Sequence, residues 1–149
     1  MSNNSLTALV LTYNEEQHLQ RCLTSLKKVC NEIIVIDSFS TDATKEISLS
    51  NGALFCQNKF VNHANQINWG IENGQINTDW VIRVDADEYL SEELIENIKI
   101  ELLAIKKEVT GIRIKRLMYF FDKPLKKAGM YPIWHMRIWR NGSAICEQR

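Results

Sequence analysis

Apolar residues crowd Leu6–Thr12 (LTALVLT), and the run is dense enough to read as a strand covered on both faces. Leu19, Cys22, Leu23, Leu26 and Val29 then recur at helical spacing. They predict an amphipathic helix over Glu15–Val29, with Asn14 as its N-cap. Glu32–Asp37 (EIIVID) repeats the buried-strand pattern. A second helix is expected from about Asp42 to Ser50, ended by Asn51-Gly52, and Ala53–Gln57 is a short third strand. Ala64, Ile67, Asn68 and Ile71 line one face of a third helix closed by Gly74. Trp80–Asp85 is a fourth strand, rich in β-branched Val81, Ile82 and Val84. Ser91 caps the next helix, with Leu90 and Ile95 as a hydrophobic staple. Glu92 and Glu93 sit in its first turn and Lys106 and Lys107 follow its end, as the helix dipole favours. Strands alternating with helices imply an α/β fold: a mostly parallel sheet flanked by helices.

The pattern changes after Gly111. GIRIKRLM alternates as a strand, and Tyr119–Lys127 shows little helical periodicity. Met136–Arg140 and Ser143–Glu147 flank Asn141-Gly142, a two-residue hairpin signal. A hairpin is a poor ending for a domain, so a polypeptide continuing past Arg149 is expected. The free edge of Ser143–Glu147 would then favour pairing with a second copy, and hence a homodimer.

A chain of 149 residues can bury a real core. Its four cysteines, Cys22, Cys30, Cys56 and Cys146, lack CxxC spacing and read as reduced, mostly buried thiols. No apolar run reaches the length of a membrane span. These features suggest a cytoplasmic protein. Formal net charge is zero, but it is unevenly spread. Gly111–Arg149 carries 9 basic and 2 acidic residues, interleaved with Tyr119, Phe120, Phe121, Tyr131, Trp134 and Trp139. Such a stretch suits an anionic membrane surface, a phosphorylated acceptor or a nucleic acid, or simply balances the acidic remainder.

Three polar clusters fall where open α/β sheets bind ligands, beyond the carboxyl ends of strands. They are Thr12-Tyr13-Asn14-Glu15, Asp37-Ser38-Phe39-Ser40-Thr41-Asp42 and Asp85-Ala86-Asp87-Glu88. In an extended chain Asp85 and Asp87 point to one side, and paired carboxylates attract a hard cation such as Mg²⁺ or Mn²⁺. Asp37 can accept two hydroxyl hydrogen bonds, as from a ribose, or an imide N–H. Neither GxGxxG nor GxxxxGKS is present, so a nucleotide diphosphate would depend on the Asp85/Asp87 cation for charge neutralisation.

Four blocks taken in order carry a resemblance: LTYNEEQHLQRCLTSL, EIIVIDSFSTDATKEI, the Gln66-Ile67-Asn68 region and DWVIRVDADE. Together they resemble the inverting family 2 glycosyltransferases of GT-A fold, and in particular bacterial enzymes of lipopolysaccharide core and exopolysaccharide assembly. The resemblance covers Leu6 to Leu90 and, more weakly, WHMRIWRNGSAICEQR. It implies that Thr12, Tyr13 and Glu15 line the donor base pocket and that Asp37 contacts base or ribose. It implies that Asp85 and Asp87 form the DxD, with Asp87 the more direct ligand of Mn²⁺ or Mg²⁺. Lys59, Gln66 and Asn68 lie where the family often contacts the donor.

On this reading residues 1–110 form the donor-binding part and 111–149 begin the acceptor side. The partners implied are a nucleotide-sugar and a glycan or lipid-linked acceptor, not a nucleic acid, with peripheral contact at the inner face of the membrane. The family's catalytic base is an Asp or Glu C-terminal to the DxD. Glu147 is the one carboxylate near that region and matches poorly, so the base is expected beyond Arg149. Two alternatives stand beside this reading. One is a phosphohydrolase with Asp85 as nucleophile and Asp87 as acid, although Tyr89 replaces the Thr or Val wanted there. The other is a module that binds a nucleotide-sugar without transferring it.

Overall fold

A computed structural model describes residues 4–127 and 129–147. Its strands are β1 (Leu6–Thr12), β2 (Glu32–Asp37), β3 (Leu54–Gln57), β4 (Trp80–Asp85), β5 (Gly111–Arg116), β6 (Tyr119–Phe120), β7 (Lys123–Pro124) and β8 (Ile133–Arg140). Its helices are α1 (Leu19–Leu26), α2 (Thr44–Ser50), α3 (His63–Asn73) and α4 (Glu92–Ala104). Six strands form one sheet in the order β3-β2-β1-β4-β8-β5. The first four are mutually parallel, and β8 runs antiparallel to both β4 and β5.

Alternate residues of the central strands feed two cores, as period-2 geometry requires. Leu6, Ala8 and Val10 of β1, Val35 of β2 and Ile82 and Val84 of β4 pack with Leu19, Leu23 and Leu26 of α1 and Ile95, Ile98 and Leu102 of α4. Leu9, Leu11, Ile34, Ile36 and Val81 face the other way, with Ile67 of α3 and Trp139 of β8. Helices therefore cover both faces, which is why these strands are apolar throughout rather than alternating. The order 3-2-1 reverses between β1 and β4. In open α/β sheets ligands bind at such a switch point, beyond the carboxyl ends of the two strands.

Several elements differ from their sequence expectation. Helix α1 starts at Leu19, not Glu15, and Asn14 is not its cap. Asn14 instead adopts φ 50°, a left-handed conformation that Asn tolerates, and its side chain serves the neighbouring loop. Helices α3 and α4 do carry side-chain caps, from Asn62 and Ser91. The buried face of α3 centres on Gln66, Ile67 and Gly70 rather than on Ala64 and Asn68.

Ser143–Glu147 does not form a strand. Ser143 N donates to Arg140 O, and the chain beyond turns onto α3, where Cys146 N donates to Asn68 Oδ1 and Cys146 O accepts from Asn68 Nδ2, both at 2.8 Å. The side-chain amide of Asn68 mimics a strand neighbour and satisfies the backbone that a hairpin would have paired. The free edge on which a homodimer was expected is therefore absent there. The sheet edge on that side is β5, whose exposed Arg113, Lys115 and Arg116 discourage further pairing. Of the cysteines only Cys22 is buried, whereas Cys30, Cys56 and Cys146 are half-buried, and all four are free thiols.

Candidate functional site

The strand ends bring two of the three polar clusters into register. Thr12 lies opposite Asp37, and Leu11 lies opposite Asp85. Ser38 N donates to Thr12 O and Ala86 N donates to Leu11 O, both at 3.0 Å, so each loop leaves its strand still tied to β1. The loops after β1 and β2 are stitched together. Asn14 N donates to Ser40 Oγ at 2.7 Å and Asn14 Oδ1 accepts from Thr41 N at 2.8 Å. Glu15 N donates to Thr44 Oγ1 and Glu16 N to Asp42 Oδ2. Polar residues that read as helix caps in the sequence thus serve the neighbouring loop instead.

Asp37 organises this double loop from below. It is fully buried, not exposed. Its Oδ2 accepts from Ser40 N at 2.8 Å and from Gln57 Nε2 at 3.1 Å, and its Oδ1 accepts from Ser40 Oγ. Phe39, at the tip, holds φ 63°, a strained conformation for a bulky residue, and leaves its ring exposed. Thr12 is buried, and its Oγ1 has no hydrogen-bond partner among the described residues. Tyr13 is exposed, and Glu15 Oε2 pairs with His18 Nδ1 at 2.8 Å.

The acidic cluster is a turn, not extended chain. Glu88 N donates to Asp85 O at 2.9 Å, and Glu88 Oε2 accepts from Asp85 N at 3.1 Å. The same-side argument for Asp85 and Asp87 therefore stops at the strand end. Ala86 is instead buried in the core, which leaves Asp85 half-buried and Asp87 exposed. The two carboxylates also differ in company. Asp85 Oδ1 lies 3.4 Å from Arg83 and its Oδ2 lies 4.0 Å from Arg137. Glu88 Oε1 pairs with Arg137 at 2.9 Å and with Arg116 at 3.4 Å. Asp87 has no hydrogen-bond or ion-pair partner among the described residues, and it is the carboxylate open to a cation.

Beneath the turn, Cys22 Sγ donates to Asp85 O at 3.9 Å. Burial, and then the charges of Glu88, Asp87 and Asp85, push the Cys22 thiol up to about 12. Sequence reading placed Glu88 in the acidic cluster without a role and missed Arg83, Arg116 and Arg137, whose only signal was as arginines spread over three strands. Gln66 is buried and donates to Ser38 Oγ at 2.9 Å, which supports the second loop from below, while Asn68 serves Cys146. Lys59 is exposed beyond β3. Among the described residues no group of three His, Cys, Asp or Glu could enclose a metal ion.

A family model matches most of the chain. Residues 7–143 match the model described as Glycosyl transferase family 2. The chain belongs to that family. This membership argues against the phosphohydrolase alternative. It is 31% identical over 142 residues to the lipopolysaccharide core biosynthesis glycosyltransferase LpsC of Rhizobium meliloti (strain 1021), covering 92% of this chain and 51% of LpsC. It is 38% identical over 101 residues to the glycosyltransferase RC0292 of Rickettsia conorii (strain Malish 7), covering 65% of this chain and 35% of the relative. The chain thus spans about a third to a half of the length of these relatives.

Solved structures share the fold. The Pyrobaculum calidifontis mannosyltransferase PcManGT, in complex with GDP-Man and Mn²⁺, superposes with a TM-score of 0.62 at 21% identity, over 74% of this chain and 35% of that one. Staphylococcus aureus TarS 1-349, in complex with UDP-GlcNAc, gives 0.53 at 23% identity, over 67% and 31%. The chain shares their GT-A architecture: a mostly parallel sheet flanked by helices.

Proposed function

We propose that this chain carries the donor half of an inverting, metal-assisted glycosyltransferase of lipopolysaccharide or cell-surface polysaccharide synthesis. The observation that carries the reading is Asp87, exposed and without a hydrogen-bond or ion-pair partner among the described residues, in the turn after β4, the strand beside β1. LpsC, a relative aligned over 92% of this chain, bears a lipopolysaccharide core name, which supports that choice of acceptor class.

A nucleotide-sugar fits this site by chemistry. The buried, unpartnered Thr12 hydroxyl and exposed Tyr13 line the side for the nucleoside, and Asp37 keeps their neighbouring loop in shape. Asp85 and Asp87 offer carboxylate oxygens, which suit a hard cation. With no protein cage of three ligands, Mg²⁺ or Mn²⁺ would be held by Asp87, with help from Asp85, and by the donor phosphates. When bound, the cation neutralises charge on the leaving diphosphate. An acceptor hydroxyl attacks the anomeric carbon from the face opposite the diphosphate. The new C–O bond forms as the sugar–phosphate bond breaks, and a carboxylate takes the hydroxyl proton.

Calorimetry with UDP and GDP, with and without Mn²⁺, tests the donor reading. Mn²⁺-dependent binding of one of them is expected, and binding of neither in either condition contradicts it.

The acceptor side begins after residue 110 and is basic and aromatic. Tyr119, Phe120 and Phe121 are exposed on the β6–β7 hairpin, and Lys115 Nζ lies 5.0 Å over the ring of Trp134. This surface suits a lipid-linked acceptor at an anionic membrane. No helix among the described residues is long and apolar enough to cross a membrane. Flotation with phosphatidylglycerol vesicles is expected to carry the chain at low salt and release it at 0.5 M NaCl, roughly the range where the Debye length falls below 8 Å. Absence of flotation at low salt would remove the membrane from the proposal.

A further inference from the structure

We propose that Arg137 is a positioning residue for the donor site, acting through Asp85, and that Glu88 holds it in place. The inference rests on the donor reading above and adds to it a residue from outside the acidic turn. Arg137 lies on β8, antiparallel to β4, so the sheet itself delivers its side chain beside the turn. The residue is 9% exposed. Its two terminal nitrogens divide their work. One donates to Glu88 Oε1 at 2.9 Å. The other, Nη1, faces Asp85 Oδ2 at 4.0 Å and is buried without a hydrogen-bond partner among the described residues.

A buried guanidinium nitrogen with an unused donor is costly unless something answers it. Asp85 Oδ2 is the acidic oxygen facing it, and a small shift on donor binding would close that contact. Arg83 stands on the other oxygen of Asp85 at 3.4 Å. The Asp85 carboxylate is therefore held between two guanidiniums in a fixed orientation, while Asp87 stays free for a cation. Glu88 makes the arrangement rigid. One of its oxygens accepts from Asp85 N, the other holds Arg137, and Arg116 approaches that second oxygen at 3.4 Å. Without Arg137, Asp85 loses one of its two restraints. A carboxylate free to swing no longer keeps its oxygen where it can help Asp87 hold a cation, so the loss falls on metal-dependent binding.

The test is a double-mutant cycle read by calorimetry with Mn²⁺ and UDP or GDP, whichever the unaltered chain binds. Arg137→Met is expected to weaken Mn²⁺-dependent affinity about tenfold. Affinity for the same nucleotide without Mn²⁺ is expected to stay unchanged, a split that general loosening of the fold would not produce. In an Asp85→Asn background, Arg137→Met is expected to add no further loss, because the charge it positions is gone. Glu88→Gln, which keeps the shape of the turn, serves if Arg137→Met melts early. It is expected to give a smaller loss that also vanishes in the Asp85→Asn background. Additive losses in the cycle, or equal losses with and without Mn²⁺, would overturn the positioning role. If the unaltered chain binds neither nucleotide with Mn²⁺, the donor reading fails, and the inference fails with it.

Discussion

Asp37 accepts three hydrogen bonds in full burial, so its removal acts first on the loop it organises. Asp37→Ala leaves Ser40 and Gln57 donors unanswered and is expected to cost about 2 kcal/mol of stability. The same variant is expected to weaken nucleoside binding even without metal, because Ser40 no longer aligns Asn14 beside Thr12. Urea unfolding and metal-free calorimetry check the two effects. Loss confined to the metal-dependent affinity would instead assign Asp37 to the cation.

Cys22 and Cys30 behave alike for a different reason. Burial pushes both thiols up to about 12, with acidic neighbours adding to the effect at Cys22. A raised folded value means that the native state keeps its proton while the unfolded thiol, with a value of 9.0, loses it. The stability tied to these thiols is thus full below pH 9.0 and drains away as pH rises from 9.0 toward about 12. Iodoacetamide labelling of the native chain at pH 8, read by mass spectrometry, is expected to leave buried Cys22 unmodified. Rapid labelling of Cys22 would contradict its burial under the acidic turn.

Helix α3 meets the sheet through Gly70, where an added Cβ would lie 2.1 Å from Ile36 Cδ1 and 3.3 Å from Ile36 Cγ1. Gly70→Ala is therefore expected to destabilise by about 1–3 kcal/mol through overpacking, despite the higher helix propensity of Ala. An unchanged melting temperature would show that α3 can lift away from β2 at no cost. Elements of this kind were largely legible in the sequence. β1, β2 and β4 announce themselves as continuous apolar runs, and α4 by Ser91 and its acidic first turn. Legibility failed where long-range hydrogen bonds overrode local signals. Asn14 looks like a helix cap but serves Thr41, and Asn141-Gly142 looks like a hairpin turn although Asn68 captures the chain that follows. Both decisions depend on partners distant in sequence, which no local pattern contains.

At the scale of the whole molecule, the strand order places the candidate site. The reversal between β1 and β4 set Thr12 and Asp85 on neighbouring strands, and the sequence order of four strand-helix units anticipated such a site. The arginine surround of Asp85 and Glu88 was not legible, because Arg83, Arg116 and Arg137 converge only once β8 has inserted between β4 and β5. That insertion joins the basic C-terminal strands to the candidate site in a single sheet. The proposal that residues 1–149 bind a nucleotide-sugar diphosphate through Asp87 meets its most direct test in calorimetry of the unaltered chain and Asp87→Ala. Each is titrated with UDP and GDP in the presence and absence of Mn²⁺. Asp87 is exposed and unpaired among the described residues, so its replacement is expected to leave the melting temperature unchanged. Loss of a metal ligand is expected to lower Mn²⁺-dependent affinity by about a hundredfold or more. Full Mn²⁺-dependent affinity in Asp87→Ala would contradict the account.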